Sequence, residues 1–191
     1  MEWFLDGRVG LARNLFSAQE AEAHFHALRN DIEWCHPFYD NPDGRRVFLP
    51  RLTANYGEES YDYSGLTFSP RPWTPRLSAL RQVAIAHSGR PMNALILQLY
   101  RNGADRVGWH ADDNPRQMAP PIIVSMSFGA TRAMQFRAQH QHTARLDLIL
   151  ESGDLLLMQG DLQETHHHRI PSARGSIGER INLTFRTIKA V

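Results

Sequence analysis

The stretch most informative about the fold is Arg180-Ile181-Asn182-Leu183-Thr184-Phe185-Arg186, which alternates strictly between polar and apolar residues. Successive side chains of a β-strand point to opposite faces, so the pattern predicts a strand with one apolar face in the core. The other face would carry two guanidinium groups, an amide and a hydroxyl in a row. An ordinary half-exposed strand shows the same alternation. Two arginines in this arrangement also suit a small dicarboxylate, because each can bind a carboxylate through two hydrogen bonds.

Further strands are predicted upstream of this one, where short apolar or β-branched runs are bounded by Gly, Pro or Asp. The predicted strands are residues 94–101, 122–128, 133–137, 144–150, 154–158, 166–170 and 180–188. Short connections without intervening helices indicate an antiparallel sandwich or jelly roll. We therefore predict a mainly β fold with flanking helices (α+β). Its core would be a double-stranded β-helix, or jelly roll, over residues 93–188.

Two helices are predicted in the first half of the chain. Ser17 and Glu20 form a capping-box motif before the first helix. The second should start at Thr74 with Pro75 in its first position and should end at Gly89. Residues 36–72, between the helices, are rich in turn signals and are expected to form hairpins and surface loops. We predict a single domain over residues 1–191, in which 1–45 form an N-terminal extension with the capped helix.

The composition is that of an ordinary globular protein, with 42% hydrophobic and 21% charged residues. The formal net charge of +1 gives no strong basic field. Lys189 is the one lysine among 21 basic residues, which reflects either a genome bias or a need for planar, bidentate guanidinium groups. The single cysteine, Cys35, excludes an internal disulfide and suits a small buried hydrophobe. Neither a signal peptide nor a membrane-spanning run is recognisable, so we expect no membrane partner.

Two short histidine motifs predict a metal site. His110 and Asp112 are separated by one residue, so their side chains point to one side of an extended segment. In the run 166–168, His166 and His168 share a face, and either could complete a site with two imidazoles and one carboxylate. That donor set leaves open positions and suits non-haem Fe(II), whereas a structural zinc site normally needs four ligands. A surface histidine beside a solvated aspartate, and a polar histidine loop, are the alternative interpretations.

These segments together resemble the AlkB family of oxidative dealkylases, whose pattern is His-x-Asp, a distant His, and Arg-x-Asn-x-Thr-Phe-Arg. The resemblance covers roughly residues 45–189, includes Leu49-Pro50-Arg51 and Asn55-Tyr56-Gly57, and is strongest with the vertebrate-type nuclear DNA-repair branch. It implies a dioxygenase dependent on Fe(II) and 2-oxoglutarate that consumes O₂ and uses ascorbate as reductant in vitro.

The resemblance also implies a role for each matching residue. The expected iron ligands are His110, Asp112 and His168, with His168 chosen over His166 because of the basic, aliphatic and proline residues that follow it. The expected 2-oxoglutarate site comprises Gln98, Tyr100, Arg180, Asn182, Thr184 and Arg186. The expected substrate contacts are Arg51, Tyr61, Tyr63 and Asp113, with Tyr63 stacking on the base against His110.

The implied activity is oxidative demethylation of N-alkylated bases of the 1-methyladenine and 3-methylcytosine type, releasing formaldehyde and succinate. The expected partner is alkylated nucleic acid, single- or double-stranded DNA or else RNA, because a flipped or unpaired base is needed. We expect a monomer in the bacterial cytoplasm or the eukaryotic nucleus. The alternatives are the same chemistry on RNA, protein or a small molecule, and a non-catalytic metal-binding jelly roll.

Residues 36–48, where the resemblance begins, offer one further expectation. Phe38, Tyr39 and Phe48 could form an aromatic wedge that enters nucleic acid, while Arg45 and Arg46 contact phosphates. Equally, these aromatic residues could simply pack on the core.

Overall fold

A computed structural model describes the backbone of residues 1–63, 66–141 and 146–190, and the side chains of these residues except 61–63 and 66–68. Its helices are α1 (Ala18–Asp31), α2 (Pro75–Ser88) and α3 (Leu162–Thr165). Its strands are β1 (Glu2–Phe4), β2 (Val9–Ala12), β3 (Phe38–Asp40), β4 (Arg46–Phe48), β5 (Leu52–Gly57), β6 (Tyr61–Tyr63), β7 (Leu66–Phe68), β8 (Ala94–Tyr100), β9 (Val107–His110), β10 (Ile123–Gly129), β11 (Arg132–Ala138), β12 (Leu146–Leu150), β13 (Leu155–Met158), β14 (His166–Ile170) and β15 (Arg180–Arg186).

The strands form two main sheets that pack against each other. The large sheet has the order β1-β2-β13-β10-β15-β8-β5, and the small sheet has the order β12-β11-β14-β9. All neighbouring strands in both sheets are antiparallel. A buried cluster with members from both sheets, such as Phe136 and Met158, fills the space between them. The predicted antiparallel sandwich is therefore confirmed.

Helices α1 and α2 cover the outer face of the large sheet. Leu28 of α1 and Leu77 of α2 share a buried cluster with Leu183 and Phe185 of β15. The apolar face of β15 thus lies against the helices, and its polar face is directed into the space between the sheets. This explains why all seven residues of β15 are buried, whereas alternation alone is equally typical of a half-exposed strand.

Both predicted helix starts are confirmed by their capping contacts. Ser17 Oγ accepts the Glu20 N–H at 3.3 Å, and Glu20 Oε2 accepts the Ser17 N–H at 2.9 Å. Thr74 Oγ1 accepts the Leu77 N–H at 3.2 Å. Gly89 ends α2 with a φ of 67°, a left-handed conformation that glycine adopts without strain.

The large sheet extends beyond the predicted core of residues 93–188. Strand β2 pairs with β13, and β5 pairs with β8, so residues 2–12 and 52–57 belong to the sheet. The expected hairpins do form at β3–β4 and β6–β7. Strand β5 was not expected because it lies within residues 36–72, whose turn signals predicted only hairpins and surface loops.

Cys35 corrects a second expectation, since its side chain is exposed and not buried. Its backbone pairs with Thr53 in a single bridge, through hydrogen bonds of 2.8 Å in both directions. Separately, no helix in the described ranges is long and apolar enough to cross a lipid bilayer.

Candidate active site

The small sheet brings the predicted metal ligands together. Strands β9 and β14 are neighbours, and His110 lies directly opposite His168, with ring centroids 4.3 Å apart. Asp112 follows two residues after the end of β9. Its Oδ1 lies 3.8 Å from His110 Nε2, and its Oδ2 lies 3.7 Å from His168 Nε2. The ligand atoms of the three residues all lie within 4.8 Å of one another, so they could hold one metal ion.

The geometry distinguishes His168 from its histidine neighbours. His168 is 4% exposed and contacts Asp112. His166 is half-buried and lies beside Thr165, whose Oγ1 is 2.9 Å from His166 Nδ1. His167 points to the opposite face of β14, because neighbouring residues in a strand alternate. Of the three histidines in this run, the structure thus places His168 opposite His110 and beside Asp112.

The protonation states of these side chains suit metal binding. His110 Nδ1 lies 2.9 Å from the Gly108 carbonyl, which can only accept, so the contact selects the tautomer in which Nδ1 carries the proton and Nε2 faces Asp112 as the potential ligand atom. Burial, reinforced by His110, lowers the pKa of His168 to about 3, so its imidazole is neutral at pH 7. Burial alone would raise the pKa of Asp112, but Arg186 and the two histidines outweigh burial and hold it well below its usual range. Metal binding requires neutral imidazole and ionised carboxylate.

A cavity opens beside this cluster, between the two sheets. It is lined by Leu49, Arg51, Thr53, Asn55, Ile96, Gln98, Tyr100, Val107, His110, Asp112, Ser125, Met134, Met158, His168, Arg169, Ile170, Asn182, Thr184 and Arg186. Every residue of the predicted 2-oxoglutarate site except Arg180 is in this lining. The cavity therefore joins the candidate metal ligands to a polar wall on the large sheet.

Hydrogen bonds order that polar wall. Asn182 Nδ2 donates to Thr184 Oγ1 at 2.8 Å, and Ser125 Oγ donates to Asn182 Oδ1 at 2.9 Å. Tyr100 donates its hydroxyl to Gln98 Oε1 at 2.7 Å. A guanidinium group, hydroxyls and amides on one wall form a donor set that fits a dicarboxylate. The fit of 2-oxoglutarate rests on this donor set.

Arg180 lies deeper than the lining and is joined to it through Asn182. Its Nη2 donates to Asn182 Oδ1 at 2.8 Å and to Ser127 Oγ at 2.9 Å. Its Cζ lies 5.3 Å from the Tyr100 ring centroid. Burial lowers the pKa of Arg180 to about 10, so the guanidinium remains charged at neutral pH. A buried positive charge behind the wall favours an anion in front of it.

The predicted substrate contacts are only partly assembled. Arg51 is buried, lines the cavity and donates to the Arg106 carbonyl at 3.3 Å. Asp113 is exposed and outside the cavity lining, and among the described side chains no contact joins it to Arg51. The structure therefore does not bring Asp113 into the cavity, because Asp112 turns inward and its chain neighbour turns outward. Tyr61 and Tyr63 lie outside the residues whose side chains the structure describes.

Several residues that line the cavity or contact its lining were not assigned a role from the sequence. Ser125 and Ser127 alternate with apolar residues of β10, so a period-two pattern could have found them. Thr53 Oγ1 and Asn55 Oδ1 are buried without a hydrogen-bond partner in the part of the chain that is described. They lie on β5, which was not predicted. Gln163 Oε1 on α3 accepts a hydrogen bond from the Asp112 N–H at 2.9 Å, a contact that no sequence pattern predicts.

Comparison with known proteins places the chain among oxygenases. The family model described as the 2OG-Fe(II) oxygenase superfamily matches residues 8–186. The human alpha-ketoglutarate-dependent dioxygenase alkB homolog 3 is 42% identical over 194 residues, covering 95% of this chain and 66% of the human protein. The human DNA oxidative demethylase ALKBH2 is 33% identical over 186 residues, covering 91% of this chain and 71% of that protein. The chain thus spans just under two thirds of the alkB homolog 3 length.

A solved structure supports the fold. The structure of OsALKBH1 superimposes with a TM-score of 0.67 at 18% identity, covering 96% of this chain and all of the other. The predicted jelly-roll core and the predicted Fe(II), 2-oxoglutarate and O₂ requirement agree with these similarities. The chain belongs to the AlkB family within the 2OG-Fe(II) oxygenase superfamily.

Proposed function

We propose that the protein is an oxidative demethylase that uses Fe(II) and 2-oxoglutarate to remove alkyl groups from bases of the 1-methyladenine and 3-methylcytosine type. It would release formaldehyde and succinate. The observation that carries this proposal is the cluster of His110, Asp112 and His168 at one end of a cavity with a polar, cationic wall. We expect it to act as a monomer, in the bacterial cytoplasm or the eukaryotic nucleus.

The proposed cofactor roles follow from the described contacts. Iron would be held by His110, Asp112 and His168, and when bound it would supply the activation of O₂ that oxidises the alkyl carbon. The 2-oxoglutarate carboxylates would be held by Arg180 and Arg186. The neighbouring hydrogen-bonding groups would come from Gln98, Tyr100, Asn182 and Thr184.

Arg186 would link the two sites. Its Nη2 lies 2.7 Å from Asp112 Oδ1, inside the cavity lining. The pair keeps Asp112 ionised and places a guanidinium beside the metal ligands. In this enclosed site the attraction between a guanidinium and a carboxylate is weakened less by solvent than at the surface. The arrangement would therefore orient a small carboxylate toward the metal.

The proposed substrate is a base in nucleic acid. The relatives are named as a dioxygenase and a DNA oxidative demethylase, which supports nucleic acid as the substrate class. Arg51 lines the cavity, and Thr53 Oγ1 and Asn55 Oδ1 offer buried acceptors there. An exocyclic amino group, present in adenine and cytosine, could donate to such acceptors. Tyr61 and Tyr63 stay proposed base contacts on the resemblance alone.

An aromatic hairpin supports the nucleic-acid proposal. Phe38, Tyr39 and Phe48 on β3 and β4 are 37%, 45% and 49% exposed. They do not pack on the core, so that alternative is excluded. Each ring forgoes part of the about 1.5–3 kcal/mol that full burial would contribute, and a cluster of this kind is typical of an interaction surface. Arg46 lies with its Cζ 3.8 Å from the Phe38 ring centroid, and its Nε pairs with Asp40 Oδ1 at 3.3 Å, so its guanidinium is held on this surface by both contacts.

The test is formaldehyde release from a single-stranded oligonucleotide carrying 1-methyladenine or 3-methylcytosine, with Fe(II), ascorbate and 2-oxoglutarate under air. We expect release that depends on 2-oxoglutarate and disappears in Asp112→Ala. Succinate formed without nucleic acid, and no formaldehyde with it, would indicate the same chemistry on another substrate. The absence of both products from iron-loaded protein would indicate a non-catalytic metal-binding protein.

A further inference from the structure

The turn between β13 and β14 is held firmly against the rest of the fold. It contains the short helix α3, whose Leu162 is buried in the cluster between the sheets. Asp161, just before α3, forms an ion pair with Arg8. Gln159 is fixed as well, because its N–H donates to the Arg8 carbonyl and its Nε2 to the Gly7 carbonyl, each at 2.9 Å. These contacts therefore fix the position of the α3 backbone.

The side chain of Gln163 points from α3 toward the candidate metal site. It is 4% exposed, and its Oε1 accepts the main-chain N–H of Asp112 at 2.9 Å. Its Nε2 lies 3.8 Å from Met158 Sδ, a weak acceptor, which accounts for the orientation of the amide. Both ends of the amide thus have partners. The oxygen contacts the segment after β9, and the nitrogen contacts Met158 of β13.

The contact with Asp112 replaces a strand hydrogen bond. Strand β9 ends at His110, so the Asp112 N–H belongs to an irregular segment. Asp112 is 3% exposed, and a buried N–H without an acceptor costs about 1–3 kcal/mol. Gln163 supplies the acceptor from the turn that leads directly into β14 and His168. One side chain therefore connects the backbone of the carboxylate to the element that carries the second histidine.

We propose that Gln163 is a positioning residue for the metal site, fixing the backbone of Asp112 so that its carboxylate meets both imidazoles. The inference rests on the proposed ligand set of His110, Asp112 and His168. Groups that orient metal ligands without touching the metal commonly affect metal affinity by about 10- to 100-fold. Gln163 touches neither the metal nor a substrate, so its effect should appear in metal binding before any turnover.

The test measures the dissociation constant for Mn(II), followed by electron paramagnetic resonance of the free ion, without nucleic acid. We expect Gln163→Met, which keeps the side-chain length but removes the acceptor, to weaken Mn(II) binding by about 10- to 100-fold. Gln159→Met is the matched control, since it removes a side-chain hydrogen bond from the same turn at a distance from the site. We expect it to bind Mn(II) like the unmodified protein.

Urea unfolding of the metal-free variants distinguishes a role in metal binding from a general contribution to stability. If Gln163→Met and Gln159→Met lower stability alike and both bind Mn(II) normally, the proposal is overturned. Gln163→Asn, whose amide is one methylene shorter, provides a second variant should Gln163→Met not fold, and it should also weaken Mn(II) binding. Asp112→Ala tests the ligand set itself. If Asp112→Ala retains full affinity, the ligand set is wrong; if only the Gln163 variants retain it, the positioning role alone is wrong.

Discussion

Arg186 and Asp112 show how a single ion pair can serve two neighbouring sites. Their atoms are 2.7 Å apart, and both side chains are almost fully buried. The guanidinium lowers the pKa of the carboxyl group against the opposing effect of burial. The carboxylate is thus ready for a cation before any cation is present. A buried pair of this kind contributes little net stability, so its position beside the metal cluster is better explained by binding.

The residue-level test concerns the choice between adjacent histidines. We expect His168→Ala to reduce turnover more than about 100-fold, because loss of a ligand should exceed the 10- to 100-fold typical of orienting groups. His167→Ala should keep most of the activity, since His167 points away from Asp112. The measurement is succinate formation at saturating 2-oxoglutarate. The reverse ranking would mean that His167, not His168, faces the metal.

Site residues with an unusual type and spacing could be predicted from the sequence, whereas residues that reach the site only through tertiary packing could not. His110, Asp112 and the polar face of β15 were predicted, and all of them except Arg180 line one cavity. Gln163 was missed, because its partner lies 51 residues away and is a backbone group. A buried glutamine contacting a main-chain N–H leaves no periodic pattern. Only the fold brings such a pair together.

At the scale of elements, strands with a clear local sequence pattern were predicted closely, and the short or irregular ones were not. Strand β14 has the predicted bounds, and β8 and β10 differ by a residue or so at their ends. Strand β9 was missed because it is four residues long and contains Gly108, which weakens any strand pattern. Both predicted helices were found because their caps are encoded locally. Local chemistry thus specifies starts and faces, and long-range pairing specifies the rest.

The β3–β4 hairpin offers a test at this scale. Phe38→Ala combined with Phe48→Ala should weaken oligonucleotide binding about tenfold or more, because a base–aromatic stack is worth about 1–3 kcal/mol. The Michaelis constant for 2-oxoglutarate should not change, since the hairpin lies outside the cavity lining. The control is Ile149→Ala on β12, a side chain that is 47% exposed. Unchanged binding in the double variant would remove the hairpin from the proposed nucleic-acid surface.

Across the whole molecule, two layers of apolar packing enclose the polar site. The cluster under α1 and α2 supports the back of the large sheet, and the cluster between the sheets surrounds the cavity. Polar groups in the cavity are therefore desolvated, which is why the pKa of His168 is low. The same applies at the back of the large sheet, where burial is the main cause that lowers the pKa of His24. The nearby charge of Arg76 lowers this pKa further, and Glu20 raises it by a smaller amount. Both histidines are neutral in the folded protein near pH 7.

This burial predicts a loss of stability in mild acid. The pKa of each histidine is lower in the folded than in the unfolded chain, whose usual value is 6.5. As pH falls through 6.5 the unfolded chain binds protons first, so the free energy of unfolding decreases. In metal-free protein, urea unfolding should therefore show lower stability at about pH 5.5 than at about pH 7.5.

A variant at His24 tests this explanation. His24 packs between Phe16 and Phe128, with ring centroids 5.2 and 5.3 Å away, so His24→Phe suits the site and removes one titrating group. The variant should lose less stability over the same interval, and an equal loss would show that His24 is not buried in its neutral form.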